Sequence, residues 1–270
     1  MTMRAVDPAR PAAPYIGGKR NLAQRLVKLI AEKEHSVYAE PFVGMGGVFF
    51  RRAAAPGCEV INDRSGDVAT FFRILQRHYT PFMEMLRYQV TSRREFDRLS
   101  RTDPTTLTDL ERAARFLYLQ RTAYGGKVEG RSFGVSPGYG ARFDVTKLAP
   151  VLEDLHERLA GVIIECLPWQ EFIPRYDRAG TLFYLDPPYF GSEGDYGKGM
   201  FARGEFEALG AVLKGLRGDY ILSIHDTPEA REAFGWARLK PVATTYAVQG
   251  GKGHAARELI VTRNTRARAA

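Results

Sequence analysis

Residues 184–190, YLDPPYF, place an acid, two prolines and an aromatic ring in a row at the end of the apolar run TLFYL. Asp186 offers a carboxylate and Pro187 a backbone carbonyl, and the fixed φ of Pro187 and Pro188 aims that carbonyl in a set direction. An amino group on a planar heterocycle would donate one hydrogen to each acceptor while its ring stacks on Tyr189. Held that way, the nitrogen lone pair leaves conjugation and becomes nucleophilic toward an electrophilic methyl group. A purely structural bend is the competing reading, since Pro-Pro pairs often end strands.

Two upstream features weigh against the bend. The stretch AEPFVGMGGVFF sets Gly44, Gly46 and Gly47 between a strand and a helix, where missing Cβ atoms let a ligand reach the backbone beside a helix N-terminus. Alone it is also an ordinary tight turn, because the spacing is not the full G-x-G-x-x-G of dinucleotide folds. The second feature is INDRSGD, in which Asp63 closes the next strand 23 residues after Glu40. An acid there accepts hydrogen bonds from ribose hydroxyls in doubly wound folds. Glycine loop and acid together point to an adenosine-containing cofactor.

These residues need a scaffold, and the hydrophobic pattern supplies an α/β one. Apolar, largely β-branched runs at 36–43, 58–62, 161–167, 180–186 and 219–225 predict strands, and helical patterns at 20–33, 46–54, 65–77, 146–159, 204–215 and 228–236 fall between them. The alternation breaks over 79–142, which has helical stretches and a glycine-rich loop but no comparable strand, so it is predicted to be a helical insertion. The core is then 14–78 plus 143–264, with 1–13 and 265–270 expected to be disordered. From Arg87 to Arg142 there are 11 Lys or Arg against 6 Asp or Glu, a net +5 of the chain's total +8. The excess makes Arg93, Arg94, Arg121, Lys127 and Arg131 candidates for phosphate contacts, against the plainer reading of a solvated arginine-rich face.

Composition narrows the remaining classes. A pI near 9.5 favours a polyanionic partner. Cys58 and Cys166 both sit in strand-like runs, and the five histidines lack ligand spacing, so neither a disulfide framework nor a metal site is expected. The N-terminus has no apolar leader core and no run of about 18 apolar residues occurs, so a cytoplasmic protein without membrane spans is expected, as a monomer or weak dimer. Trp169 and Trp236 read as packing residues, and His225 as a packed or solvated histidine near a strand end. Tyr196 and Phe201 lie in a loop that either closes over a base or is simple surface.

The ordered motifs resemble the Dam-type DNA adenine N6-methyltransferases, S-adenosyl-L-methionine-dependent enzymes, over about 14 to 264. PYIGGKRNL is similar to that family's N-terminal cofactor motif, EPFVGMGGVFF to its methionine-binding loop, INDRSGDV to its ribose-binding segment and LDPPYF to its catalytic motif. ILSIHDTPEAREAF and RELIVTRN resemble later family segments, and LYLQRTAYGGKVEGRSFGVSPG its DNA-contacting loop. The resemblance implies a Rossmann-like methyltransferase core with an inserted, mainly helical target-recognition subdomain acting on double-stranded DNA. It implies a cofactor site of Tyr15, Lys19, Pro41, Phe42, Gly44, Gly46, Asp63, Glu171, Phe172 and Asp186, with catalysis at Asp186, Pro187, Pro188 and Tyr189. Tyr124 joins the DNA-contacting candidates. The chain departs from the family pattern at Gln120, where Asn usually precedes Arg, and at Glu171, where Asp usually precedes Phe. Two alternatives stay open: methylation of cytosine N4 or an RNA base, and a non-catalytic nucleic-acid-binding protein.

Overall fold

A computed structural model describes residues 3–15, 17–19, 21–135, 140–189, 204–246 and 254–264. The described strands are β1 (Arg4–Ala5), β2 (Val37–Glu40), β3 (Ala54–Ala55), β4 (Cys58–Asn62), β5 (Ile163–Glu165), β6 (Thr181–Leu185), β7 (Asp219–His225), β8 (Arg238–Tyr246) and β9 (His254–Thr262). The helices are α1 (Ala23–Ala31), α2 (Gly66–Arg77), α3 (Tyr79–Leu86), α4 (Arg93–Arg101), α5 (Asp109–Thr122), α6 (Val145–Arg158), α7 (Trp169–Tyr176), α8 (Glu205–Gly215) and α9 (Pro228–Phe234). Seven strands form one sheet in the order β5-β4-β2-β6-β7-β9-β8, parallel from β5 to β7, with β9 and β8 antiparallel at one edge. This is the expected α/β architecture with a mostly parallel sheet.

The strand order decides where a ligand can sit. From β2 the chain moves to β4 on one side, whereas β6 lies on the other, so β2 is the point at which the direction of winding reverses. The loops after β2, β4 and β6 therefore open onto one crevice at the carboxyl ends of the strands. Those loops carry Gly44, Asp63 and Asp186.

Four expectations change. The helix predicted at 46–54 is a series of turns and a short 3-10 segment, Phe49–Arg51, because Gly44 and Gly46 take φ values of +50° and +70° that a right-handed helix forbids. The β8–β9 hairpin was not predicted as strand, yet it pairs over nine positions and completes the sheet. Residues 3–13, expected to be disordered, are ordered: β1 pairs with β3, and Ala9, Ala12 and Ala13 are buried in the core. Small side chains let this segment lie flat on the core, and Ala9 N donates to Phe50 O at 2.7 Å. Finally, the helices of 79–142 are no detached lobe. Phe71 of α2 meets Phe82 of α3 at 6.1 Å and Phe116 of α5 at 5.9 Å, inside one hydrophobic cluster shared with the sheet.

Two devices stiffen this frame. Glu59 of β4 accepts from Arg52 Nη1 at 2.7 Å and from both terminal nitrogens of Arg158 on α6 at 2.7 Å, with all three side chains buried. Removing one member of such a buried cluster costs about 3–5 kcal/mol, because a desolvated charge is left behind. Thr108 and Glu111 form a reciprocal capping box that starts α5 after the Pro104–Thr106 turn.

Candidate active site

The glycine loop after β2 is fixed from both sides. Gly44 N donates to Asp63 Oδ2 at 2.9 Å, and Ser65 N donates to Oδ1 at 2.8 Å. A Cβ at Gly44 would lie 3.1 Å from the ring of Tyr15, so Tyr15 occupies the space that any larger residue would need. Asn62, which sequence reasoning missed, ties the floor together: its Nδ2 donates to Pro41 O at 2.8 Å and Leu167 O at 3.0 Å, and its Oδ1 accepts from Leu167 N at 2.8 Å. Burial pushes Asp63 up to about 6, against the lowering effect of the two amides.

Asp186 follows β6 with its carboxylate about one-fifth exposed. Its Oδ1 takes Lys19 Nζ at 2.7 Å and Ser223 Oγ at 3.2 Å, and Ser223 in turn meets the Tyr184 hydroxyl at 2.8 Å. Burial raises the Asp186 pKa above the usual carboxylate range, and Lys19 and Ser223 pull it partly back. Pro187 and Pro188 are buried. Tyr189 is buried too, at 4% exposure: His225 lies against its ring at 4.0 Å between centroids, and Lys19 Nζ sits 4.4 Å from the ring centre. Its hydroxyl accepts from Lys19 and donates to Glu258 Oε1 at 3.1 Å. In this conformation the ring therefore presents little open face for stacking. His225, read from sequence as a bystander, is the packing partner of that ring, and burial lowers its pKa.

Lys19 is the cation at the centre. It is 4% exposed, and besides Asp186 and Tyr189 it reaches Gly17 O at 3.1 Å and Glu258 at 3.9 Å. Glu40, at the end of β2, is buried, accepts from the Tyr38 hydroxyl at 2.5 Å and is pushed up to about 8 by burial, against the pull of Tyr38 and Arg52. Around the crevice, four carboxyl groups (Glu40, Asp63, Asp186 and Glu258) all have raised pKa values. Burial favours the neutral form of each, so a ligand that donates hydrogen bonds or brings positive charge would stabilise whichever of them are ionised.

The other candidates divide. Pro41 is buried with its carbonyl on Asn62, and Phe42 is half-buried against the second hydrophobic cluster. Phe172 is fully buried in that same cluster, packed 4.9 Å from Tyr176, so its ring belongs to the core, while Glu171 is exposed on the first turn of α7. In the insertion, Arg93, Arg94, Tyr124 and Lys127 are exposed, with the Arg93 guanidinium 5.2 Å from the Phe133 ring centre. Arg131 is half-buried and donates to Lys127 O at 3.1 Å. Arg121 turns inward, donating to Arg142 O at 3.0 Å and Ala12 O at 2.6 Å. Gln120 is buried and donates to Pro14 O at 2.8 Å and Gly126 O at 2.6 Å, which clamps the glycine-rich loop to the segment leading into Tyr15. Tyr196 and Phe201 lie outside the described residues. Among the described residues no group of three or more His, Cys, Asp or Glu is arranged to hold a metal ion, and no helix is long and apolar enough to cross a membrane.

The α/β core thus brings three loops together at one switch point, one of them the Asp-Pro-Pro-Tyr turn. The profile of the D12 class N6 adenine-specific DNA methyltransferases matches residues 15–248, and the chain belongs to this family of enzymes. It is similar to the type II methyltransferase M1.LlaDCHI of Lactococcus lactis subsp. cremoris, at 29% identity over 67% of this chain and 66% of that protein. It is also similar to the type II methyltransferase M.CviBI of Paramecium bursaria Chlorella virus NC1A, at 22% identity over 83% of this chain and 86% of that protein. The type II methyltransferase M.MjaIII of Methanocaldococcus jannaschii shares 25% identity over 67% of this chain and 69% of its own length.

Proposed function

We propose that this chain methylates N6 of an adenine turned out of duplex DNA, with S-adenosyl-L-methionine as methyl donor. The observation that carries the reading is Asp186: a partly exposed carboxylate, anchored through one oxygen by Lys19 and Ser223, beside a glycine loop at the sheet's switch point. The cofactor fits the donor set, since a sulfonium and an amino group suit a crevice rich in carboxyls, and a ribose diol suits Asp63. Tyr15, Lys19, the Gly44–Gly46 loop and Asp63 would hold it. When bound, it supplies an electrophilic methyl group.

The protein's own work is orientation and charge. Asp186 and the Pro187 carbonyl would accept the two N6 hydrogens, freeing the nitrogen lone pair to form the new N–C bond while the methyl C–S bond breaks and its electron pair stays on sulfur as a neutral thioether. The proton that the nitrogen then sheds has Asp186 as its nearest acceptor. Receiving the base requires the Tyr189 ring to open a face now covered by His225 and Lys19. The type II designation of the relatives supports action at a defined short site in a cytoplasmic setting. Incubation with labelled cofactor and duplex DNA, followed by nucleoside analysis, tests the reading. N6-methyladenine is expected, whereas N4-methylcytosine or no transfer overturns it.

Asp63 gives a prediction with a pH signature. Its folded pKa of about 6 lies above the 3.8 of a free aspartate, so its ionised form costs the fold stability as pH rises through 6, and the acid is explained better by binding than by folding. Cofactor affinity is expected to hold above pH 6 and to fall below it, as the ionised acceptor is lost. Asp63→Asn should weaken binding about ten- to hundredfold at pH 7.5 and flatten this dependence, as read by calorimetry across pH 5 to 8.

For DNA, the exposed cations are the candidates. Arg93→Ala, Arg94→Ala and Lys127→Ala should each weaken binding to all duplexes alike and reduce the slope of log affinity against log salt by about one. Arg121→Ala should lower thermal stability instead, because its guanidinium bonds main-chain carbonyls. Fluorescence titrations at several salt concentrations separate the two outcomes.

A further inference from the structure

Glu258 lies on β9, opposite His225 of β7 and Val242 of β8, and is 1% exposed. Nothing in the local sequence marks it, since RELIV offers one acid beside an apolar run and is not predicted as strand. Its Oε1 accepts from the Tyr189 hydroxyl at 3.1 Å and stands 3.9 Å from Lys19 Nζ, whereas its buried Oε2 has no hydrogen-bond partner among the described residues. A buried carboxylate with one oxygen unpartnered is costly to keep unless its charge is used. The charged or titratable groups facing it are Lys19 from the segment before α1, Tyr189 and Asp186 from the turn after β6, and His225 from β7.

Lys19 thus stands between two carboxylates, 2.7 Å from Asp186 and 3.9 Å from Glu258, with the Tyr189 hydroxyl bridging the longer side. We infer that Glu258 is a positioning residue for methyl transfer, sharing Lys19 with Asp186 through the Tyr189 hydroxyl and so keeping Asp186 an effective acceptor for the amine. With Glu258 ionised, Lys19 is divided between two acids and neutralises Asp186 less completely. Without it, Lys19 and Tyr189 lose their common anchor, and the Asp186 carboxylate is clamped in a tighter ion pair. The raised pKa of Glu258, about 7, arises from burial and the nearby Asp186 against the pull of Lys19, and agrees with this coupling. The inference rests on the proposed role of Asp186.

The test is Glu258→Gln, which keeps the shape and an oxygen for the Tyr189 hydroxyl but removes the charge. Carboxyl carbons are followed by NMR in chain labelled at Asp and Glu, with the Glu258 signal assigned from Glu258→Gln. The Glu258 titration midpoint is expected to fall in the Asp186→Asn protein, because the repulsion from the Asp186 carboxylate is gone. In single-turnover assays methyl transfer should slow between about ten- and a hundredfold while cofactor affinity stays within about twofold, and Glu258→Asp should restore part of the rate. An unchanged Glu258 midpoint in Asp186→Asn, or a full single-turnover rate in Glu258→Gln, overturns the inference. The NMR result stands whether or not adenine proves to be the methyl acceptor, so a failure of the proposed function is seen separately, as absence of N6-methyladenine with the wild-type chain.

Discussion

Asp186→Ala is expected to lower single-turnover methyl transfer by at least about a thousandfold while the protein remains folded. The variant loses the acceptor that orients the amine, and loss of one preorganised polar contact to a developing charge already costs about 10²- to 10³-fold in other enzymes. Here the same side chain also positions Lys19, the cation that neighbours a second acid 3.9 Å away. Asp186→Asn keeps the shape and is expected to be nearly as defective, because an amide cannot take up the proton that methylation releases. Asp186 is held above the usual carboxylate range by burial, so wild-type activity should fall on the acid side as this group gains its proton. Rapid-quench assays under enzyme excess, with circular dichroism to verify the fold, provide the measurement. A turnover within tenfold of wild type in Asp186→Ala would remove Asp186 from the chemistry.

Sequence and structure agree where a local rule fixes the outcome. DYILSIH, apolar and β-branched, is the strand β7 over the same seven residues, and CEVIN is β4. The Asp-Pro-Pro-Tyr turn lies at a strand end in the crevice because the apolar run before it must be buried and the prolines cannot continue a ladder. Agreement fails where geometry is non-local. Gly44 and Gly46 signalled a loop, but the positive φ values that stop a helix there, and the Tyr15 ring and Asp63 carboxylate packed against Gly44, are visible only in the fold. Lys19 and Glu258 are far apart in the chain and meet only because β9 inserts between β7 and β8. Arg121 looked like a phosphate ligand by charge, yet its partners are the carbonyls of Arg142 and Ala12, and Ala12 lies in a segment whose order rests on tertiary burial of small residues. Charge counts locate a cation but not the direction in which it points.

Lys19→Met separates position from charge at the centre of the site. Lys19 is buried, donates to Gly17 O, Asp186 and the Tyr189 hydroxyl, and lowers the pKa of both Asp186 and Glu258 against their burial. Methionine has similar length and apolar bulk but no charge, so the crevice retains its filling and loses its cation. Burial then acts on both acids without that cation, with Ser223 still stabilising the ionised Asp186, and their pKa values should move further up. The sign follows directly: the ionised Asp186 needed for transfer is less populated at any given pH and recovers as pH rises. Methyl transfer by Lys19→Met at pH 7 is therefore expected to fall at least about a hundredfold, with the acid limb of the pH–rate profile displaced upward and part of the rate recovered near pH 9. A Lys19→Met profile that is lower at every pH but has its acid limb in the wild-type position would show that Lys19 acts only by holding Tyr189 and Asp186 in place, and that its charge does not set their protonation.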